Sequence, residues 1–365
     1  MQIQQNVIDP LFERKVDLVT EGLPAGYAER LKLVSQVFQD NALIICNYIM
    51  AMKTKINPSD NYRRTNVAIL TKLSKFFRNQ KSFNQIGRED VLSFLDILRK
   101  PESSDPLHKW VGTYLHRIQL IRFFKWLYYP DIEPGKRPKP SVVENIPQLK
   151  RKEQSIYKPS DLWTAEDDLL FLKYCPSKRD RCYHAISRDL SCRPHEILKL
   201  KIKDIAFKTT GSYQYANVVV NGKTGTRPIP LINSIPDLKD YLGHEHPQPG
   251  NPNAPLICGT CKSLGRHIQT STLNKIYRDY REQVFPKLLE SPNILPKDKQ
   301  KIKELLKKPW NPYIRRHSAL TEKSIILKEH VLRQHAGWSI GSQMPQKYLH
   351  YFGGSLVKVY WKHME

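Results

Sequence analysis

The stretch from Tyr213 to Leu231 constrains the fold most, because the period of the apolar pattern changes there. Two runs rich in β-branched residues, 213–220 and 226–231, flank the dipeptide Asn221-Gly222. Asn-Gly between such runs is the strongest short-range signal for a β-hairpin. On both sides of this stretch the apolar residues recur at helical spacing instead. We therefore predict a mainly α fold with a small antiparallel β-sheet.

A basic, proline-rich stretch divides the helical pattern into two parts. Residues 131–159 contain Pro134, Pro138 and Pro140 among several Lys and Arg residues and show no apolar period. Such a composition is typical of a linker between domains. The predicted organisation is an N-terminal arm at 1–26, a helical domain at 27–130, the linker at 131–159, a second domain at 160–352 and a C-terminal tail at 353–365.

The domain at 27–130 is predicted to consist of amphipathic helices. Apolar residues recur at helical spacing in four segments, 27–52, 60–79, 86–98 and 109–128. Aromatic residues within this pattern are expected in a core. The basic residues on the opposite faces are either solvated or in contact with a phosphate backbone.

The net charge indicates a polyanionic partner. The chain has 59 Lys and Arg against 35 Asp and Glu, a formal charge of +24. Such a charge attracts nucleic acid, although a generally basic, solvated surface would give the same count. The sequence shows neither a bilayer-length apolar run nor a signal peptide, so we expect a cytoplasmic, nucleoid-associated protein. The candidate DNA contacts are Arg63, Arg64, Lys72, Arg117, Arg122, Lys125, Lys150, Arg151 and Lys152.

Six scattered cysteines are typical of a reducing compartment rather than of a disulfide framework. Cys258 and Cys261, with His244 and His246 nearby, could together bind zinc. The Gly and Pro residues around them indicate an ordinary connecting segment instead. We therefore predict no metal ion and no cofactor, with zinc as the alternative.

Residues 311–350 gather side chains suited to binding a phosphate. Asn311 followed by Pro312 predicts the start of a helix, since Asn caps free amide groups and Pro is tolerated at the first helical position. Tyr313 and Arg316 lie three residues apart and share one face of that helix. A guanidinium and a phenol on one face can converge on an anion.

The same stretch contributes two further groups. Gly337 predicts the end of a helix just before Trp338, whose indole is a hydrogen-bond donor. Pro345 predicts a short helix that holds Tyr348 rigidly. The second Tyr and the indole can therefore join the first group around one anion.

Two cations upstream complete the candidate site. Arg193 precedes Pro194 and is predicted at the cap position of a helix, where backbone amides favour an anion. Lys223 is predicted at the hairpin tip, from which it could reach into a site and deliver a proton. The alternatives are an ordinary surface Arg and a Lys that serves solubility.

The order of these motifs resembles that of the tyrosine recombinase (phage integrase) family. Residues 192–205 resemble the family's Arg-x-x-Glu-Leu-x-x-Leu-x-x-x-Asp-Ile, and residues 313–318 are similar to its His-x-x-Arg-His-Ser box. Ala336-Gly337-Trp338 stands where the family usually has Leu-Gly-His, and Tyr348 stands where it has the nucleophile. Tyr313 in place of His resembles some archaeal integrases, and both replacements keep a hydrogen-bond donor.

The resemblance implies a helical core-binding domain and a mixed α/β catalytic domain that form a clamp around double-stranded DNA. It implies cleavage and rejoining through a 3′-phosphotyrosyl intermediate without metal or ATP, on a synaptic tetramer. The C-terminal tail is a candidate for contacts between protomers. The implied catalytic residues are Arg193, Lys223, Tyr313, Arg316, Trp338 and Tyr348, with Glu196 and His317 in support.

Two other functions remain open at this point. A type IB topoisomerase-like enzyme would use the same chemistry to relax one duplex. A DNA-binding architectural protein would need only the charge, but the intact set of Arg193, Lys223, Arg316 and Tyr348 argues against a decayed site. The linker and the helical N-terminal domain favour the recombinase.

Overall fold

The computed structural model describes residues 10–78, 80–99, 111–147, 157–222 and 225–348. The chain divides into two compact units, 1–153 and 154–365. Each unit has its own hydrophobic core. Within the described ranges, no helix combines the length and the apolar character that a membrane span requires.

Helices form the described part of the first unit. The helix predicted over 27–52 is divided at Phe38, whose φ of −151° is not helical. The beginning of the helix predicted over 109–128 lies outside the described residues. The helices are α1 (Pro10–Thr20), α2 (Gly26–Val37), α3 (Gln39–Ile56), α4 (Asp60–Phe76), α5 (Arg88–Ile97) and α6 (Val111–Tyr128).

The predicted N-terminal arm is corrected for the residues that the structure describes. Phe12, Val16 and Val19 of α1 are buried in the core of the first unit. Their spacing of four and three residues places them on one face of the helix, which packs on α3. Residues 10–20 are therefore part of the domain.

The first part of the predicted linker also belongs to this unit. Val142, Val143 and Ile146 are buried in the same core. Arg117 on α6 donates from Nε and Nη2 to the carbonyl oxygen of Ile146, at 3.0 and 2.8 Å. The stretch lacks a period because it packs as an irregular segment, which apolar periodicity cannot reveal.

The second unit combines helices with a three-stranded antiparallel sheet in the order β1-β2-β3. The predicted hairpin is confirmed, but Asn221 and Gly222 lie in its first strand, opposite Thr226 and Gly225, and not in the turn. The strands are β1 (Ile205–Thr210), β2 (Tyr213–Gly222) and β3 (Gly225–Leu231). The helices are α7 (Ala165–Tyr174), α8 (Lys178–Leu190), α9 (Pro194–Leu198), α10 (Ile235–His244), α11 (Thr270–Asp279), α12 (Phe285–Glu290), α13 (Pro296–Leu306), α14 (Pro312–Ile326), α15 (Glu329–Ala336) and α16 (Pro345–Tyr348).

Helix α8 is the central element of this unit. It packs on α10, α14 and β3, and most of its residues are buried. It ends at Ser191, whose φ of +50° lies in the left-handed region. That turn directs the chain into α9. The predicted mainly helical fold with a small antiparallel sheet is confirmed.

Candidate functional site

Arg193 occupies the cap position of α9, as the sequence predicts. Glu196, whose side chain is 1% exposed, accepts from the backbone N–H of Arg193 at 2.9 Å and from its Nη1 at 3.1 Å. Burial raises the pKa of Glu196, but the Arg193 N–H and the charges of Arg227 and Arg193 outweigh it and hold that pKa below its usual value. The Arg193 side chain keeps one fifth of its surface exposed.

Arg227 on β3 is a member of the site that the sequence analysis missed. Its Nη2 lies 3.2 Å from Glu196 Oε2 and 3.3 Å from Cys192 Sγ, and its Nε donates to the carbonyl oxygen of His335 at 3.1 Å. Residues 227, 229 and 231 all face inward, because side chains alternate along a strand. The sequence signal for Arg227 is this alternation, because it places a charged residue on the same face of the strand as Ile229 and Leu231.

Arg316 lies on the first turns of α14, where the cap is formed as predicted: the side chain of Asn311 accepts from the N–H groups of Tyr313 and Ile314, both at 3.0 Å. The guanidinium of Arg316 is 1% exposed. Its Nη1 donates to the carbonyl oxygen of Ser191 at 2.6 Å and its Nη2 to that of Ala336 at 3.0 Å. The fork thus connects the ends of α8 and α15.

Helix α15 ends at Gly337, as predicted, with φ +67°. The N–H groups of Gly337 and Trp338 donate to the carbonyl oxygens of Gln334 and Arg333, at 3.2 and 2.9 Å, which is the Schellman arrangement. The Trp338 side chain is nearly buried, and its Nε1–H has no hydrogen-bond acceptor among the described residues. Such a donor is available to an oxygen of a ligand.

Tyr348 lies at the end of α16 and is 8% exposed. Its ring stacks on that of His317 at 4.3 Å between centroids and lies 5.8 Å from that of Trp338. The Cζ of Arg316 lies 4.9 Å from the centroid of the Tyr348 ring. Thr321 fixes the helix end by donating to the carbonyl oxygen of Tyr348 at 3.0 Å.

Tyr313 is half-buried in the same environment. Burial and the neighbouring Tyr348 raise the pKa of Tyr313, while the charges of Arg193 and Arg316 act in the opposite direction. The phenol therefore stays protonated near neutral pH and can donate a hydrogen bond. The structure thus brings Arg193, Tyr313, Arg316 and Tyr348 into one electrostatic environment, and Glu196 joins it through its pairing with Arg193.

The candidate DNA contacts of the first unit differ from one another. Arg63 is buried. Its guanidinium donates to the carbonyl oxygens of Val19 and Glu21, at 3.1 and 2.8 Å, and to Asp60 Oδ1 at 2.7 Å. The prediction that Arg63 binds DNA is therefore corrected. The hydrogen bonds of Arg117 to the carbonyl oxygen of Ile146 argue against a DNA contact at Arg117 as well.

The remaining contacts of this set are placed as follows. Lys72 and Arg122 are exposed, and Arg64 and Lys125 are half-buried. Arg122 also donates to the Tyr62 hydroxyl at 2.9 Å. Lys150, Arg151 and Lys152 lie outside the described residues, as does Lys223 of the hairpin tip.

The four possible zinc ligands do not form a metal-binding group. His246 uses both ring nitrogens, with the carbonyl oxygen of Pro255 at 3.0 Å and the N–H of Gln248 at 3.1 Å. Cys258 is buried against the Tyr241 hydroxyl, whereas Cys261 is exposed. Within the described ranges, no three His, Cys, Asp or Glu residues are grouped as metal ligands. The spacing of Cys258 and Cys261 therefore reflects a connecting segment, and the zinc alternative is corrected.

No protein-family model matches the sequence, and the comparison with curated proteins gives no match. Several solved structures are similar. The XerH site-specific recombinase bound to difH substrate, in its pre-cleavage complex, has a TM-score of 0.55 at 17% identity, covering 96% of this chain and 94% of that chain. The Tn1549 transposon integrase with transposon right end DNA has a TM-score of 0.54 at 14% identity, covering 88% and 99%.

A lambda integrase tetramer bound to a Holliday junction is similar at a TM-score of 0.51 and 12% identity, covering 81% of this chain and 73% of that chain. Identities this low establish a common fold and leave the chemistry to be argued from the site. The chain is therefore folded like these site-specific recombinases and integrases.

Proposed function

We propose that the protein is a tyrosine-type site-specific DNA recombinase or integrase that cleaves and rejoins DNA strands through a 3′-phosphotyrosyl intermediate. The observation that carries the proposal is the placement of the Tyr348 ring under the buried guanidinium of Arg316. A phenol beside a fixed cation, with unpaired donors around it, suits attack on a phosphodiester. The similarity to DNA-bound recombinases supports the same conclusion.

Arg193 and Arg316 supply the positive charge that the reaction requires. Phosphodiester cleavage without a metal needs fixed positive charge on the non-bridging oxygens, where negative charge increases in the transition state. Arg193 and Arg316 present permanently charged forks, and burial strengthens their interaction with an anion. Tyr313 and the Nε1–H of Trp338 donate to the same phosphate.

The bond changes balance without an external energy source. The Tyr348 oxygen releases its proton to water and bonds to phosphorus, while the bond from phosphorus to the 5′-oxygen breaks. Lys223 gives that oxygen its proton. The phosphotyrosyl bond stores the energy of the cleaved bond, so attack by another 5′-hydroxyl reverses the steps and joins new strands without ATP. Glu196 orients Arg193, and the His317 ring supports that of Tyr348.

We propose double-stranded DNA as the partner. We also propose assembly as a synaptic tetramer, which the tetrameric lambda integrase complex supports, with contacts through the C-terminal tail. Tyr313 in place of His makes the site an archaeal integrase-like variant. The protein acts on DNA in the cytoplasm, in association with the nucleoid.

The decisive test is a suicide substrate: a duplex library nicked so that the cleaved fragment diffuses away and traps the covalent protein–DNA adduct. We expect an adduct that resists denaturation and forms in the presence of a chelator, and its DNA, once sequenced, identifies the site. Tyr348→Phe abolishes the adduct, and Tyr351→Phe is the matched control. An adduct in the Tyr348→Phe protein would reassign the nucleophile, and an adduct lost to the chelator would contradict the metal-free mechanism.

Two other outcomes separate the alternative functions. Relaxation of a supercoiled plasmid without strand exchange would indicate a topoisomerase. Tight DNA binding without any adduct across the library would indicate an architectural protein.

A further inference from the structure

Arg227 is held between three elements that carry the candidate site. It bonds Glu196 of α9 and the carbonyl oxygen of His335 at the end of α15, and it lies on the hairpin of β2 and β3. A Cβ added to Gly337 would lie 2.7 Å from its Cζ, and one added to Gly222 would lie 2.8 Å from its Nη1. Two glycines therefore leave the room that the guanidinium occupies.

Two arginines share the carboxylate of Glu196. Arg193 donates to Oε1 through Nη1 and to Oε2 through its backbone N–H, and Arg227 approaches Oε2 through Nη2. Glu196 is 1% exposed, so its charge must be compensated by neighbours. Arg227 supplies part of that compensation from within the domain, since its own side chain is only 7% exposed.

Consecutive carbonyls at the end of α15 anchor two cations. Arg227 donates to the carbonyl oxygen of His335 at 3.1 Å, and Arg316 donates to the carbonyl oxygen of Ala336 at 3.0 Å. The last carbonyls of a helix lack intrahelical donors and attract positive charge. The position of Arg227 is therefore fixed by the same helix end that fixes Arg316.

We propose that Arg227 is a positioning residue: it holds Glu196 so that the carboxylate does not draw the Arg193 guanidinium away from the scissile phosphate. This inference rests on the proposed function. In terms of charge, Arg193, Arg227 and Arg316 against Glu196 leave a net of two positive charges. Loss of Arg227 leaves one, and loss of Arg227 together with the charge of Glu196 leaves two again.

The test compares four proteins on the suicide substrate: wild type, Arg227→Met, Glu196→Gln and the double variant. Arg227→Met should slow adduct formation by about 100-fold, the scale expected when a catalytic group is misplaced by about an ångström. The double variant should be faster than Arg227→Met by about tenfold, because the uncompensated carboxylate is gone. A residue that only supports packing predicts the reverse, a double variant slower than either single variant.

Two further variants keep the test independent of folding. Arg227→Lys retains the charge but cannot reach Glu196 and His335 as a fork, so its rate should lie between wild type and Arg227→Met. Arg181→Met removes a partly exposed pair with Asp240 in the same unit and should leave the rate unchanged. Thermal unfolding of all the variants identifies any that fail to fold.

The outcomes also separate this inference from the proposed function. An adduct in wild type without recovery in the double variant overturns the role of Arg227 and leaves the proposed function intact. No adduct in wild type overturns the proposed function itself. In that case the unfolding midpoints still measure the interaction between Arg227 and Glu196. If Arg227 compensates the carboxylate, the double variant should have a higher midpoint than Arg227→Met.

Discussion

The guanidinium carbon of Arg316 lies 4.9 Å from the ring centroid of Tyr348, although the two residues belong to different helices, α14 and α16. The same guanidinium bonds the carbonyl oxygens of Ser191 and Ala336. One buried side chain therefore connects the ends of α8 and α15 to the candidate nucleophile. This explains how motifs far apart in the sequence form one site.

Arg316→Lys tests whether the fork, rather than the charge alone, is required. A single ammonium cannot reach both carbonyl oxygens and a phosphate in the planar geometry of a guanidinium. We expect adduct formation to fall by about 100-fold and the free energy of unfolding to fall by about 1–3 kcal/mol, because a buried carbonyl loses its donor. Single-turnover cleavage and urea denaturation measure the two effects.

The matched control for that experiment is Arg315→Lys. Arg315 is equally buried on α14, but its nearest charge is Asp168 Oδ2 at 2.7 Å, a pair that Lys can keep. We expect Arg315→Lys to affect cleavage far less than Arg316→Lys does. Equal losses in both variants would make the role of Arg316 structural.

Trp338→Phe separates the indole donor from the packing of the ring. Phe keeps an aromatic ring near Tyr348 but removes the Nε1–H, which has no acceptor among the described residues. Cleavage should slow by about tenfold to 1,000-fold, since a lost oxyanion donor costs up to that much. Trp338→His restores a donor and should recover part of the rate. Equal rates for Trp338→Phe and wild type would show that the indole does not touch the phosphate.

Gly337→Ala tests the contact between the end of α15 and Arg227. Its φ of +67° disfavours a side chain, and a Cβ there would lie 2.7 Å from Arg227 Cζ. Gly341→Ala is the matched control, because its φ is +75° and its Cβ would meet open space. We expect about 1–2 kcal/mol of destabilisation from the left-handed backbone in both and a further loss only in Gly337→Ala. Equal unfolding free energies would mean that Arg227 moves aside at no cost.

Local signals predicted the elements of this protein well. The cap at Asn311 and the end of α15 at Gly337 are decided by a few neighbouring residues, and the structure confirms both. It also confirms the hairpin, although Asn221 and Gly222 lie in strand β2 and not in the turn. Strand β1, from Ile205 to Thr210, was missed because its β-branched and polar residues do not form a marked apolar pattern.

The missed features depend on contacts distant in sequence. Arg63 and Lys72 both lie on α4, but Lys72 is exposed, whereas Arg63 forms hydrogen bonds inside the domain. Only the packing of α1 reveals this difference. Arg227 looked like an ordinary hairpin residue, because the carboxylate that makes it part of the site belongs to α9. Residues 141–146 looked like a linker because irregular packing leaves no period in the sequence.

His184 should make the stability of the second unit depend on pH. Its ring is fully buried between Asp168 Oδ1 and the Tyr277 hydroxyl, each at 2.9 Å, and burial lowers the pKa of His184 to about 4 although Asp168 opposes the shift. An unfolded His titrates near 6.5, so between about pH 6.5 and 4 the unfolded chain binds a proton that the folded chain does not. Stability therefore falls as the pH falls through this window.

The measurement is urea denaturation at pH 7, 6 and 5, for wild type and for His184→Gln. We expect about 2 kcal/mol of the loss in unfolding free energy between pH 7 and pH 5 to come from His184. Gln can replace both hydrogen bonds without titrating, so its curve should be flatter by that amount. Burial also lowers the pKa of His335 to about 3, so part of the slope remains in the His184→Gln protein and should decrease further when His335→Gln is added. Parallel curves for wild type and His184→Gln would show that the imidazole of His184 takes up its proton in the folded protein as readily as in the unfolded chain.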